Sequence, residues 1–192
     1  MKSKIVLASA SPRRRELLKM IGVADFEIMP ASSEADYPVS MRPDDAVKYI
    51  SMCKAESVAP AAGENSLVIA ADTVVCLDGR ILEKPSGPED AKRMLGELSG
   101  RRHTVYTGIA LIRGAERISD CAATDVWFKE LSGREIDAYV ESGQPLDKAG
   151  AYGAQDMAAL FVRRVDGEFW NVVGLPVCRL GQLLAELGEE VP

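Results

Sequence analysis

A short apolar run from Ile5 to Ala8 stops at Ser9-Ala10-Ser11, and Pro12-Arg13-Arg14-Arg15 follows at once. A run bounded in this way reads as a buried strand, and proline suits the first turn of a helix. The chain is therefore committed near its start to a strand, a tight turn and a helix. That unit aims hydroxyls, free backbone N–H groups and three consecutive arginines at one point beyond the strand end. A helix N-terminus favours anions, and guanidinium groups add bidentate donors shaped for phosphate oxygens. The stretch reads as a phosphate cradle, although it is neither a GxxxxGK[ST] nor a GxGxxG loop. A solvated basic helix start is the plainer alternative.

Farther along, Gly22 ends the first helix and residues 26–30 suggest a short strand. Pro43-Asp44-Asp45 opens a helix whose apolar face is Ala46, Val47, Ile50 and Cys53. Residues 67–77 are strongly apolar but interrupted by Asp72-Thr73, and Asp78-Gly79 signals a hairpin returning through Arg80-Ile81-Leu82. Pro88 starts another helix, and residues 104–112 and 122–128 read as strands. Ser132 and Glu135 form a capping box for a helix that Gly143 closes. A glycine-rich loop (148–155) and a second Asp-Gly hairpin at Asp166-Gly167 precede a last helix from about Pro176. Strands and helices alternate early and hairpins dominate later, which points to α/β with a mixed sheet flanked by helices. No repeat or linker divides the chain, so residues 1–192 are expected to form a single domain, with two lobes around a cleft.

Net charge is 23 − 29 = −6, which argues against nonspecific nucleic-acid binding and makes the arginine cluster a local exception suited to a small polyanion. No apolar stretch approaches the ~20 residues that span a bilayer, and the first one is too short for a signal peptide, so a cytoplasmic location is expected. The four cysteines lie far apart without a CxxC, and each is expected to be a small buried residue. His103 is the single histidine, which excludes a multi-histidine metal site and favours a structural or surface role for that residue. Acid–base or metal work must fall mainly to carboxylates.

Asp72 is the first candidate, because a carboxylate inside an apolar strand needs a partner, a metal or a strand end facing a cleft. A hydrogen-bonded turn Asp is the alternative. If the hairpin pairs in register, Thr73 lies opposite Lys84, which would bring an ammonium near Asp72. A surface lysine is the alternative there too. Lys54 reads as the end of an apolar-periodic helix, where the macrodipole alone favours a cation. Glu34 and Asp36 lie in a polar loop. Asp147-Lys148 and Gln155 belong to the glycine-rich segment, either a simple turn or a loop that approaches a flat ligand.

Together these elements resemble the Maf family of nucleoside triphosphate pyrophosphatases. The resemblance spans nearly the whole chain. It rests on the stretch from Leu7 to Arg14, Ala71-Asp72-Thr73-Val74-Val75, Leu82-Glu83-Lys84-Pro85, Leu98-Ser99-Gly100, the stretch from Pro145 to Gly153, and Val173-Gly174-Leu175-Pro176. It implies an inosine-triphosphatase-like fold with a deep cleft and hydrolysis between the α and β phosphates. By the same resemblance Asp72 is the proton acceptor, and Ser9, Ser11, Arg13 and Arg14 hold the triphosphate. Lys54 and Lys84 assist, and Glu34 lies close to a divalent metal. Magnesium is the first expectation for that metal, with manganese or cobalt as alternatives. The subfamily acting on dTTP and UTP looks closest, because Arg13, Thr73 and Gln155 stand at its specificity positions. A sibling acting on 7-methyl-GTP tends to carry Trp, Gln and Glu there.

The expected partner is a nucleoside triphosphate, with no nucleic acid and no membrane; a homodimer stays open. Asp72 could deprotonate the attacking water, hold a metal, or do both. A nucleotide sensor without turnover and an interaction protein of the division machinery are the competing readings. The presence of Asp72 and Lys84 together weighs against the first. The second would predict an exposed apolar patch.

Overall fold

The computed structural model describes residues 3–32, 35–38 and 40–189. The first apolar run forms β1 (Lys4–Leu7), which pairs in parallel with β2 (Glu27–Ile28) and with β3 (Ser66–Leu77). β2 is shorter than its sequence segment, and both its residues are exposed. Between them lies α1 (Pro12–Met20), capped by the Ser11 side chain and closed by Gly22 at φ 86°. Helix α2 (Pro43–Ala62) begins on its proline and acidic first turn and runs well past Lys54. Lys54 is therefore an interior helix residue, and the macrodipole does not account for it.

Asp78 and Gly79 both adopt positive φ, 52° and 79°, as a two-residue hairpin turn requires, and return β3 into β4 (Arg80–Leu82). Helix α3 (Pro88–Leu98) leads to the long hairpin of β5 (Arg102–Arg113) and β6 (Glu116–Phe128). The capping box opens α4 (Gly133–Glu141) as its sequence suggests. β7 (Val162–Asp166) then pairs antiparallel with β6. Asp166-Gly167 does not make a second hairpin. Gly167, at φ 123°, hands the chain to a short helix, α5 (Phe169–Val173), followed by α6 (Val177–Glu186). Among the described residues the seven strands form one mixed sheet, ordered β2-β1-β3-β5-β6-β7 with β4 on β3.

β3 runs unbroken through Asp72 and Thr73, which are its two half-buried residues. Because strand side chains alternate, β3 serves two faces. Leu67, Ile69 and Ala71 join Ile109 and Leu111 beneath α1 and α6. Val75 and Leu77 continue that face into a separate core beneath α3 and α4. On the opposite face Val68 and Ala70 meet Ala55 and Val58 of α2. The two cores of the first face part at Thr73.

The strand also changes neighbours there. β1 covers residues 66–69 of β3, and β4 covers 75–77 on the same side. Among the described residues, none pairs as a strand with residues 70–74 on that edge, and Asp72 is at the centre of the gap.

His103 is buried. Its Nε2 lies 2.8 Å from the Tyr152 hydroxyl, its ring stands edge-on to Phe128, and its Nδ1 has no partner among the described residues. Cys76 is buried and Cys53 and Cys121 are half-buried, but Cys178 is exposed, contrary to the expectation that all four are core residues. Burial lowers the His103 pKa to about 4, outweighing the opposing pull of Asp125. The fold thus favours the neutral ring. Its contribution is complete above the unfolded value near 6.5 and is lost as pH falls toward 4, a change of roughly 3 kcal/mol. Urea unfolding between pH 7 and 4 should show this slope, and His103→Gln should flatten it.

Candidate active site

Asp72 and Thr73 are neighbours in sequence and point to opposite faces of the sheet. On the α2 face the Asp72 carboxylate receives the Lys54 ammonium at 2.6 Å, with both side chains largely shielded from water. The approach depends on Gly108 of β5, which pairs with Asp72. A Cβ built on Gly108 would lie 2.2 Å from the Val47 carbonyl oxygen of α2. Only glycine lets the helix backbone rest on the sheet there. Lys54 follows Val47 by seven residues, about two turns, and so faces the same way.

On the opposite face Arg14 is the hub. Its Nε donates to the Gly174 carbonyl at 2.8 Å, Nη1 to Ser9 Oγ at 3.1 Å and Nη2 to Thr73 Oγ1 at 3.1 Å. Burial lowers the guanidinium pKa, Asp72 opposes that shift and Arg13 reinforces it. Ser9 also accepts the Ser11 backbone N–H, and Ser11 in turn caps α1. The three arginines do not converge, because successive helix residues diverge by about 100°. Arg14 turns inward. Arg15 lines an outer hollow of about 380 Å³ with Phe26 and Ile28. Arg13 acts by its charge on Asp147, just before the glycine-rich loop: against the raising effect of burial, the Lys148 hydrogen bond and the charges of Lys148 and Arg13 hold that carboxyl below its usual range.

The glycine-rich loop is docked rather than free. Gly150, at φ 65°, presses on Val75, where a Cβ would come within 2.8 Å, and its N–H donates to the Glu83 carbonyl. The Asp156 carboxylate pins the loop by accepting from Tyr139 Oη at 2.9 Å and from the Ala158 N–H. Gln155 is exposed on this loop and makes no hydrogen bond to Asp72, Lys54 or Arg14. Lys84 is also exposed. The β3–β4 register would place it opposite Thr73, but pairing stops at Leu82. Glu34 lies outside the described residues.

Three contributors were not legible as site residues. Tyr37 Oη donates to Glu83 Oε1 at 2.9 Å, and burial, this bond and the charges of Glu83 and Asp72 raise its pKa to about 12. Gly108 and Thr107 are the others. A glycine inside an apolar strand pattern was the one available signal, since it marks close backbone approach.

An arginine hub, a lysine–carboxylate pair and a docked glycine loop around an open strand edge suit a polyanion carrying a flat group. The family model described as Maf-like protein matches residues 4–187. The chain belongs to the Maf family. It is 47% identical to the dTTP/UTP pyrophosphatase of Moorella thermoacetica, covering 98% of this chain and 97% of that one. It is 46% identical to the protein of the same name from Thermotoga maritima, covering 96% and 90%. Among solved structures, the Staphylococcus aureus Ham1 protein shares the fold at TM-score 0.52 and 19% identity, covering 96% of this chain and 99% of that one. The Coxiella burnetii HAM1 protein does so at TM-score 0.50 and 16% identity, with the same coverage.

In this Maf chain Gly108→Ala should be unusually damaging. Its clash is with backbone, so α2 must lift, at about 1–3 kcal/mol or more, and Lys54 must leave Asp72. Urea denaturation and turnover measured together check this, and wild-type values in both would refute the close-approach argument.

Proposed function

We propose that this protein hydrolyses dTTP and UTP between the α and β phosphates, releasing the nucleoside monophosphate and pyrophosphate as a nucleoside triphosphate diphosphatase. The observation that carries the reading is the Asp72–Lys54 pair at 2.6 Å, seated where one edge of β3 lacks a strand neighbour among the described residues and flanked by Arg14 on the other face. The names of the relatives support the choice of dTTP and UTP.

The chemistry asks for position and charge more than for covalent catalysis. A water in line with the α-phosphorus attacks, the bond to the bridging oxygen of the β-phosphate breaks, and Asp72 takes the water's proton. Arg13, Arg14, Lys54 and Lys84 neutralise the triphosphate and the departing pyrophosphate, with Ser9 and Ser11 as hydroxyl partners. Thr73 and Gln155 are the proposed base-side residues, Gln155 requiring the glycine-rich loop to close over the ligand.

A divalent cation fits this donor set in one way. Among the described residues no cluster of three or more His, Cys, Asp or Glu could hold an ion. The protein would offer Asp72, with Glu34 as a second donor, and substrate phosphates and water would complete the oxygens. Magnesium binds in that manner, with manganese or cobalt as alternatives. Bound there, the cation would neutralise phosphate charge and lower the pKa of a coordinated water.

Phosphorus NMR of the products tests the reaction. Monophosphate and pyrophosphate are expected from dTTP and UTP, whereas diphosphate with orthophosphate would mean attack at the γ-phosphorus and refute the proposal. Asp72→Asn should lower turnover by on the order of 10²–10⁴-fold while circular dichroism stays native. Near-normal turnover in that variant would remove Asp72 from its role.

A further inference from the structure

Behind Thr73 lies a row of buried polar groups that no surface ligand can reach. Thr73 Oγ1 is 3.0 Å from Thr107 Oγ1, its cross-strand partner on β5. Thr107 Oγ1 donates to the main-chain carbonyl of Asn171 at 2.9 Å. The Asn171 amide is itself fixed, donating to the Val105 carbonyl at 2.9 Å and to Thr124 Oγ1 at 3.0 Å, and Thr124 Oγ1 donates to the Glu168 carbonyl. Thr107 and Asn171 are both fully buried.

The row has a direction. Arg14 Nη2 can only donate, so Thr73 accepts from it. Thr107 has one proton, committed to Asn171, and can then only accept from Thr73. This is the arrangement in which both threonine protons find an acceptor. A hydroxyl has one proton and two lone pairs. With its proton sent to Thr107 and one lone pair taken by Arg14, Thr73 keeps a single lone pair for a ligand. It can receive a hydrogen bond from a substrate but cannot give one.

We infer that Thr107 is a positioning residue that locks Thr73 as a hydrogen-bond acceptor, so that the site reads a donor on the nucleotide base. This rests on the pyrimidine nucleotide reading above and sharpens it. Uracil and thymine carry an N–H at ring position 3, where cytosine carries a bare acceptor. A locked acceptor favours the first two and leaves cytosine facing lone pair to lone pair. Anchoring through Asn171 keeps the preference independent of how the glycine-rich loop moves.

The test compares the wild type with Thr107→Val, Thr107→Ser, Thr73→Val and the double valine variant. kcat and KM are measured for UTP and CTP, and unfolding midpoints in urea for every protein. Thr107→Val frees the Thr73 proton, and the UTP over CTP ratio of kcat/KM should fall about tenfold. Thr107→Ser restores the acceptor and should stay within about twofold of wild type. In the Thr73→Val background Thr107→Val should leave the ratio unchanged, a non-additivity that looser packing would not produce. A Thr107→Val protein that folds and keeps the wild-type ratio overturns the inference, as does an equal fall in both backgrounds. A wild type that turns over neither UTP nor dTTP instead overturns the reading under Proposed function. The unfolding midpoints then decide the Thr107 inference alone: Thr73→Val and Thr107→Val must be non-additive, and additive changes refute it.

Discussion

A carboxylate in the middle of an apolar strand, held 2.6 Å from an ammonium carried by the helix packed over it, sets the terms for this molecule. Asp72 without Lys54 would be a largely shielded charge with no partner, an arrangement proteins tolerate poorly. Meeting that need requires a helix whose backbone lies closer to the sheet than side chains normally permit. Gly108 removes the obstacle, and Ala55, Val58, Ala70 and Ala110 keep the rest of the contact thin. The length of α2 follows from the same requirement. Lys54 must be an interior residue, held by helix on both sides, for its ammonium to be aimed at one carboxylate.

The open edge of β3 makes this pair useful. Sheets ordinarily cover their central strands on both sides, yet here β1 leaves before Asp72 and β4 arrives after it. A ligand at that gap can meet Asp72 and Lys54 on one face and Arg14 and Thr73 on the other without crossing the sheet. The alternation of strand side chains, which would otherwise separate adjacent residues, thus distributes two kinds of chemistry around one opening. Arg14 ties the opening together by bonding the β1–α1 turn, β3 and the turn after α5 through a single planar group.

Division of labour among the arginines follows from helix geometry. Arg14 uses three of its donors on the protein and holds Ser9 and Thr73 in place, whereas the charge of Arg13 acts on Asp147, just before the loop that bears Gln155. The loop is anchored by Gly150 on Val75 and by Asp156 on Tyr139, so its tip is exposed while its base is rigid.

The sequence by itself determined the local units: the strand, turn and helix at the start, the Asp78-Gly79 hairpin, the capping box of α4 and the α/β class. Each depends on periodicity or on turn chemistry within a few residues. It also marked Asp72 and the arginine run as unusual, and its motifs revealed the family. Asp166-Gly167 misled because the same dipeptide serves a bend into a helix as well as a hairpin, and distant packing chooses between them. Lys54 looked like a helix-end cation because its partner lies eighteen residues away on a different element. Tertiary structure alone decided that β3 passes unbroken through Asp72, that Gly108 faces Val47, that Thr107 stands behind Thr73, and that the three arginines part company. These are facts of strand register and helix approach, fixed by nonlocal pairing across the whole sheet, and no short stretch of chain carries them.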